Sequence, residues 1–320
     1  MSMEKKMCPA CGEPVEAGWK ICPACETPLA GPACPGCGRA VKENWKRCPE
    51  CEVRLICPVC GKRLTRADDR CEDCAARGAE SPQAPEPGAI VIEPVTGMEF
   101  VYVPAGKFLM GDTFGEGIEN EQPVHRVRMS GFFLGRTPAT QEQWQRLMKD
   151  NPSGFQSGSN PVENVVLDDV HAFIEALSAP VKGSQFLLPT EAQWEYAARS
   201  GGREELYAGG DSIDALAWYG ENSGLRPRPV GGRKPNGLGL YDMSGNVWEW
   251  CRDGFVEDAY EIHTETDPVI PDTDGLRVIR GGSWNLDAWS ARCARRFSFR
   301  TEDHGPGLGF RLVMVQDAKE

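Results

Sequence analysis

The chain has 320 residues, 40% of them hydrophobic, with a formal net charge of −12, which is enough chain for two domains and a sizeable core. That charge excludes a general nucleic-acid or anionic-membrane binder, and no run of about 18 apolar residues offers a membrane span. The 36 glycines and 25 prolines favour turns and ordered loops over long helices.

The chain opens MSMEKKMCPACG. Basic residues are present, but no apolar stretch follows them, so no secretory signal is expected and a cytoplasmic location is. Twelve of the 14 cysteines precede residue 75. They fall in three blocks: Cys8, Cys11, Cys22 and Cys25; Cys34, Cys37, Cys48 and Cys51; Cys57, Cys60, Cys71 and Cys74. Each block is CxxC, ten residues, CxxC, an internal repeat. A CxxC turn aims two thiolates at one ion, and a second turn completes a tetrahedral sulfur shell, so three structural zinc ions are expected. Gly12, Gly38 and Gly61 follow the first pair and let each knuckle turn back. Blocks this short bury little, so the metal must supply their folding energy. Disulfides or redox pairs are the competing reading, and the lack of a signal sequence disfavours them.

The blocks resemble the double zinc-ribbon modules of bacterial proteins, and predict ribbons at 1–29, 30–53 and 54–76. Trp19 and Trp45 stand three residues before the second pair, where the third block has Asp68, so the third ribbon is expected to be the least stable. Residues 1–78 carry 13 Lys/Arg against 11 Asp/Glu, and twelve thiolates around three Zn²⁺ turn that surplus negative. Protein recruitment is therefore favoured over nucleic-acid binding.

Residues 77–92 are rich in Ala, Pro, Glu and Gly and read as a flexible linker. A domain is expected over 93–317. GMEFVYVPAGKFLMG predicts two strands around Pro104, and HRVRMSGFFLGRTPAT another pair. ATQEQWQRLMKD predicts a helix capped by Thr140, with Trp144, Leu147 and Met148 on one face. VVLDDVHAFIEAL predicts a second, its inner face Val166, Val170, Phe173, Ile174 and Leu177. LPTEAQWEYAARSG predicts a third, capped by Thr190 with Gln193 completing a capping box and Gly201 ending it. No convincing helix follows for over 100 residues. The class expected is α+β with few regular elements.

Seven motifs in order carry a family resemblance over about 93–316: GMEFVYVPAGKFLMG, EQPVHRV, the NPSGF–NPVENV pair, LPTEAQWEYAAR, PNGLGLYDMSGNVWEWCRD, RVIRGGSW and GLGFRLV. The domain resembles the formylglycine-generating, sulfatase-modifying-factor family, which implies a variant of the C-type-lectin-like fold. Trp194 and Tyr196 are expected in the core, with Glu191 and Arg199 in internal polar links. Arg280, Gly281 and Gly282 suggest a close backbone approach. Phe310 is expected in the core and Arg311 as a buried hydrogen-bonding fork.

YDMSGNVWEW offers hard oxygen donors suited to Ca²⁺. The resemblance implies calcium at Asp242, Gly245, Val247 and Glu249, with a hydrogen-bonded turn as the alternative. Family oxidases convert a substrate cysteine to formylglycine with O₂ and a copper held by two cysteines shortly after the GGS motif. Counted without gaps, those positions are Leu286 and Ala291, neither of which holds a soft cuprous ion. Cys251 and Cys293 are the remaining thiols, the weak catalytic candidates for a substitute pair. A non-haem iron branch needs a His-rich helical domain, and His125, His171, His263 and His304 are scattered in sequence.

The reading reached is a zinc-ribbon protein whose large domain lacks the copper pair and binds a protein or peptide. Trp289, Arg295, Phe297 and Phe299 are the ligand-binding candidates, hot-spot residue types beside the former catalytic position. An active oxidase acting on a sulfatase-like substrate, and a nucleic-acid adaptor working through the ribbons, are the alternatives.

Overall fold

The structure, a computed structural model, describes residues 6–7, 14–15, 64, 85–181, 183–271 and 274–316. All twelve cysteines of the expected ribbons lie outside these residues, as do Trp19, Trp45, Asp68 and the expected linker up to residue 84. The chain divides into two compact units, Met1–Gln83 with Ala318–Glu320, and Ala84–Asp317. In the first, strands β1 (Lys6–Met7) and β2 (Pro14–Val15) pair antiparallel.

The second unit begins inside the expected linker. β3 (Ile90–Ile92) pairs antiparallel with β4 (Glu99–Val103). The apolar run AIVI is a strand because Ala89 and Val91 pack on the core while Ile90 and Ile92 face out. β5 (Gly106–Met110), β6 (His125–Met129) and β7 (Phe132–Gly135) follow where the sequence pattern puts them. Neighbours in sequence do not pair throughout: β6 pairs with β5, while β7 pairs with β4.

Three helices follow as expected in kind. α1 (Gln141–Gln145) has the Thr140–Gln143 capping box, but it stops five residues early. The Trp144 indole donates to the Asp150 carbonyl at 2.7 Å, drawing the chain back across the helix end. α2 (Leu167–Ser178) buries Leu167, Val170, Phe173 and Leu177. Val166 is extended and caps this helix, so Leu167 takes the inward place expected of Val166. After β8 (Ser184–Leu187), α3 (Glu191–Ala198) carries the Thr190–Gln193 capping box and leaves through Gly201 at φ +80°. Beyond it the chain has long loops, β9 (Trp248–Gly254), a four-residue helix α4 (Ala259–Ile262), β10 (Leu276–Arg280), β11 (Arg296–Arg300), β12 (Leu308–Gly309) and β13 (Val313–Gln316).

The sheets run β3-β4-β7-β13-β8 and β11-β10-β9-β12, with β5-β6 apart. Strand alternation divides the interior into two cores. On β4, Phe100 and Tyr102 join Trp144, Phe173, Phe186 and Phe310 on one side. Val101 and Val103 join Met110, Val127, Trp194 and Tyr196 on the other. β9 splits likewise, with Trp250 in the first core and Cys251 in the second. This is the mixed class with few helices that the sequence predicts. No helix among the described residues is long and apolar enough to cross a membrane.

Candidate functional site

The site grows out of the connection between β10 and β11. β10 ends at Arg280, and Gly281 and Gly282 follow at φ +103° and +75°. A Cβ on Gly282 would come within 2.7 Å of the Ser290 carbonyl, so the returning chain requires glycine there. Asp287 caps the 3₁₀ turn Ala288–Ala291, its carboxylate accepting from the Ser290 N–H at 3.0 Å. Further bonds pin the loop: Ser223 Oγ donates to the Trp284 carbonyl at 2.6 Å, Ser244 Oγ to that of Ala291 at 2.8 Å, and Arg280 Nη1 to that of Ala294 at 2.7 Å.

A cavity of about 360 Å³ opens over this loop. Leu286, Ser290 and Arg295 come from the loop, Phe297 and Phe299 from β11, and Trp248 from β9. The Gly305–Leu308 segment closes its other side. Three of the four binding candidates are thereby brought together. Trp289 stands behind the wall, with its indole donating to the Glu116 carbonyl at 2.8 Å and its ring centroid 4.4 Å from Arg295 Cζ. Sequence reasoning missed Trp248, Asn285 and the Gly305–Leu308 wall. The YDMSGNVWEW run that holds Trp248 drew attention only for its oxygen donors, and Gly305–Leu308, six residues past Phe299, carries no side chain that marks it as a wall.

Leu286, where the resemblance puts the first copper cysteine, lines the cavity with an aliphatic side chain. Ala291, the second position, is buried beside Tyr207 and Leu216. The substitute pair fares no better. Cys251 and Cys293 are free and both 0% exposed. Burial pushes the Cys251 thiol well up and that of Cys293 to about 12, Arg199 opposing the latter. A thiolate is the nucleophile and the copper ligand, and neither thiol reaches the cavity. The residues present do not fit copper, so the catalytic role weighed for Cys251 and Cys293 is set aside.

Charge inside the domain is arranged around arginines. Glu191 pairs bidentately with Arg296, at 2.8 and 2.9 Å, and lies 3.6 Å from Arg280. These cations hold its carboxyl below its ordinary range against the opposing effect of burial. Glu195 pairs with Arg199 at 2.9 Å and with Arg280. The expected internal links of Glu191 and Arg199 are present, with partners that sequence spacing did not name. Glu121 takes a bidentate Arg292 at 2.8 and 2.9 Å. Arg295 is the loosely matched member of a buried group in which Arg292 and Arg295 face Glu121 and Asp112. It is 9% exposed, and its Nε and Nη1 are buried without a hydrogen-bond partner, with Nη1 3.7 Å from Glu121. Burial pulls its pKa down, Glu121 opposing and Arg292 adding to the effect.

The four calcium positions lie on the turn into β9. Gly245, at φ +76°, cannot carry a Cβ, which would sit 2.3 Å from the Trp218 carbonyl. Glu249 accepts from Arg311 at 2.6 and 2.7 Å and from the Trp194 indole at 2.7 Å, so its charge is already matched. Asp242 receives the Gly231 N–H at 2.7 Å, and burial raises its pKa to about 6. A hard cation here would have to share Glu249 with Arg311. Among the described residues no three His, Cys, Asp or Glu side chains gather as a metal site. His125 and His263, 138 residues apart, do meet at 3.0 Å, a contact that their sequence spacing hides.

Residues 88–316 match the sulfatase-modifying factor enzyme 1-like domain, and residues 8–52 match the double zinc ribbon. The formylglycine-generating enzyme of Streptomyces coelicolor is 32% identical over 306 residues, taking in 76% of this chain and 97% of that one. Chaperone protein LppX of Paenibacillus barcinonensis is 31% identical over 238 residues, 58% of this chain and 81% of the other. Treponema denticola variable protein 1 superposes with a TM-score of 0.62 at 30% identity, covering 70% of this chain and 98% of its own. The chain belongs to the sulfatase-modifying factor enzyme 1-like family, with a double zinc ribbon ahead of the family domain.

Proposed function

We propose that the family domain is a peptide- or protein-binding module that uses the cavity over Leu286, and that the zinc ribbons recruit a protein partner. The observation that carries this reading is Leu286 itself: an aliphatic side chain lines the cavity at the position where the resemblance calls for a metal-binding thiol. The domain's two thiols are sealed in the core. Around Leu286 stand Trp248, Phe297 and Phe299, with Phe297 44% exposed. Aromatic anchors at the rim of a preformed pocket are the common make-up of a recognition site. Relatives of similar identity carry the names of an enzyme and of a chaperone, so membership of the family does not by itself assign oxidase chemistry. A cytoplasmic setting, where zinc-bound thiolates stay reduced, goes with this reading.

Two measurements on the full chain test it. Incubated with Cu(I), O₂ and a CxPxR peptide, the protein should leave the cysteine intact by mass spectrometry; conversion of its CH₂–SH to an aldehyde would restore the oxidase reading. Selection from a displayed peptide library should enrich a shared motif on the wild-type chain and lose it on Leu286→Trp, which fills the cavity. Equal enrichment on both would move binding away from the cavity.

A further inference from the structure

Arg295 is an oddity on energetic grounds. Buried N–H groups in native proteins nearly always have partners, and a buried charge without one is costly. Each neighbouring arginine has a carboxylate to itself or shares one closely: Arg292 with Glu121, Arg296 with Glu191, Arg311 with Glu249. Glu121 has both oxygens committed to Arg292, which leaves Arg295 at 3.7 Å with two buried, unpartnered nitrogens. Its guanidinium is held in place by the Trp289 ring at 4.4 Å and the Phe297 ring at 5.5 Å. The same residue lines the cavity with Trp248, Phe297 and Phe299.

We propose that Arg295 is the receptor for a carboxylate, and that the cavity takes the free C-terminus of a peptide ending in a large apolar residue. This deepens the peptide-binding reading and rests on it. The unmet N–H groups select the ligand class. A guanidinium with N–H groups to spare among apolar walls matches one monovalent carboxylate in a bidentate fork, whereas a phosphate dianion needs further donors that these walls lack. The size selects the source. A terminal residue brings its carboxylate and an apolar side chain together into about 360 Å³, and its chain leaves the cavity only once. An internal glutamate would bring its carboxylate without an apolar side chain of its own beside it.

The probes are acetylated tetrapeptides ending in Phe, Leu or Trp, each as the free acid and as the C-terminal amide, titrated into the full chain by calorimetry. At least one acid should bind about tenfold or more tightly than its amide, the worth of hydrogen bonds to a charged group. Arg295→Met should bind acid and amide alike, and should melt no lower than wild type, because buried N–H groups without hydrogen bonds have been removed while Glu121 keeps Arg292. Arg295→Lys should retain part of the preference. Equal binding of acid and amide to the wild type, a preference that survives Arg295→Met, or no binding by any of the six peptides would each overturn the proposal. Library-selected peptides that still depend on Leu286 would leave the broader binding reading standing in all three cases.

Discussion

Glu249 and Arg311 show how single residues hold this domain together. Both are fully buried, and the guanidinium forks onto the carboxylate while also donating to the carbonyls of Gly135 and Tyr241. One side chain thus ties the end of β7, the Asp242 turn and β9 to the C-terminal strand region. Breaking such a pair on one side strands a charge, which costs about 3–5 kcal/mol. Arg311→Met should therefore lower urea-unfolding stability by that order, and adding Glu249→Gln should recover part of the loss. Asp242 is the contrasting case, a buried carboxylate raised to about 6 with no arginine of its own. A raised carboxyl pKa means that folding disfavours the charged form. Asp242→Asn should raise the melting temperature of the calcium-free protein. Calcium should raise that of the wild type and leave Asp242→Asn unmoved. A wild type indifferent to calcium would make this a hydrogen-bonded turn and nothing more.

Among the elements, α3 is the one whose sequence speaks most completely. LPTEAQWEYAARSG contains its cap, its capping box and its glycine exit, and all three are present. The Thr190 hydroxyl accepts from the Gln193 N–H at 3.0 Å while the Gln193 side chain accepts from the Thr190 N–H at 2.9 Å. Thr190→Ala should cost about 1–2 kcal/mol and Thr190→Ser much less, as read by thermal unfolding. Local signals of this kind placed the four strands β4 to β7 too, because side-chain alternation and turn residues are written within ten residues of one another. What stayed hidden is non-local. Nothing near Arg296 in sequence names Glu191 as its partner, 105 residues away. The cavity was half legible: Arg295, Phe297 and Phe299 stood out by residue type, but Trp248, 47 residues before Arg295, meets them only through the β9–β10–β11 pairings.

At the scale of the whole molecule, the division into two compact units separates two sources of stability. The family domain has two apolar cores and a set of buried ion pairs. The ribbon sequences are short for a core of their own, so zinc on thiolates is the expected source of their folding energy. The double zinc ribbon matched at residues 8–52 takes in the first two copies, and the third, from Cys57 to Cys74, stands on the repeat alone. The threefold repeat predicts three zinc ions in the purified chain, measured as metal released by a thiol-blocking reagent and counted with a colorimetric chelator. Cys71→Ser with Cys74→Ser should reduce the count to two. Graded chelator should empty the third site first, because Asp68 occupies the place where Trp19 and Trp45 stand in the others. Calorimetry during that release should show the high-temperature transition of the family domain unmoved. A shift of that transition in step with zinc loss would mean that the two units fold as one, and that the ribbons hold up the cavity as well as recruit a partner.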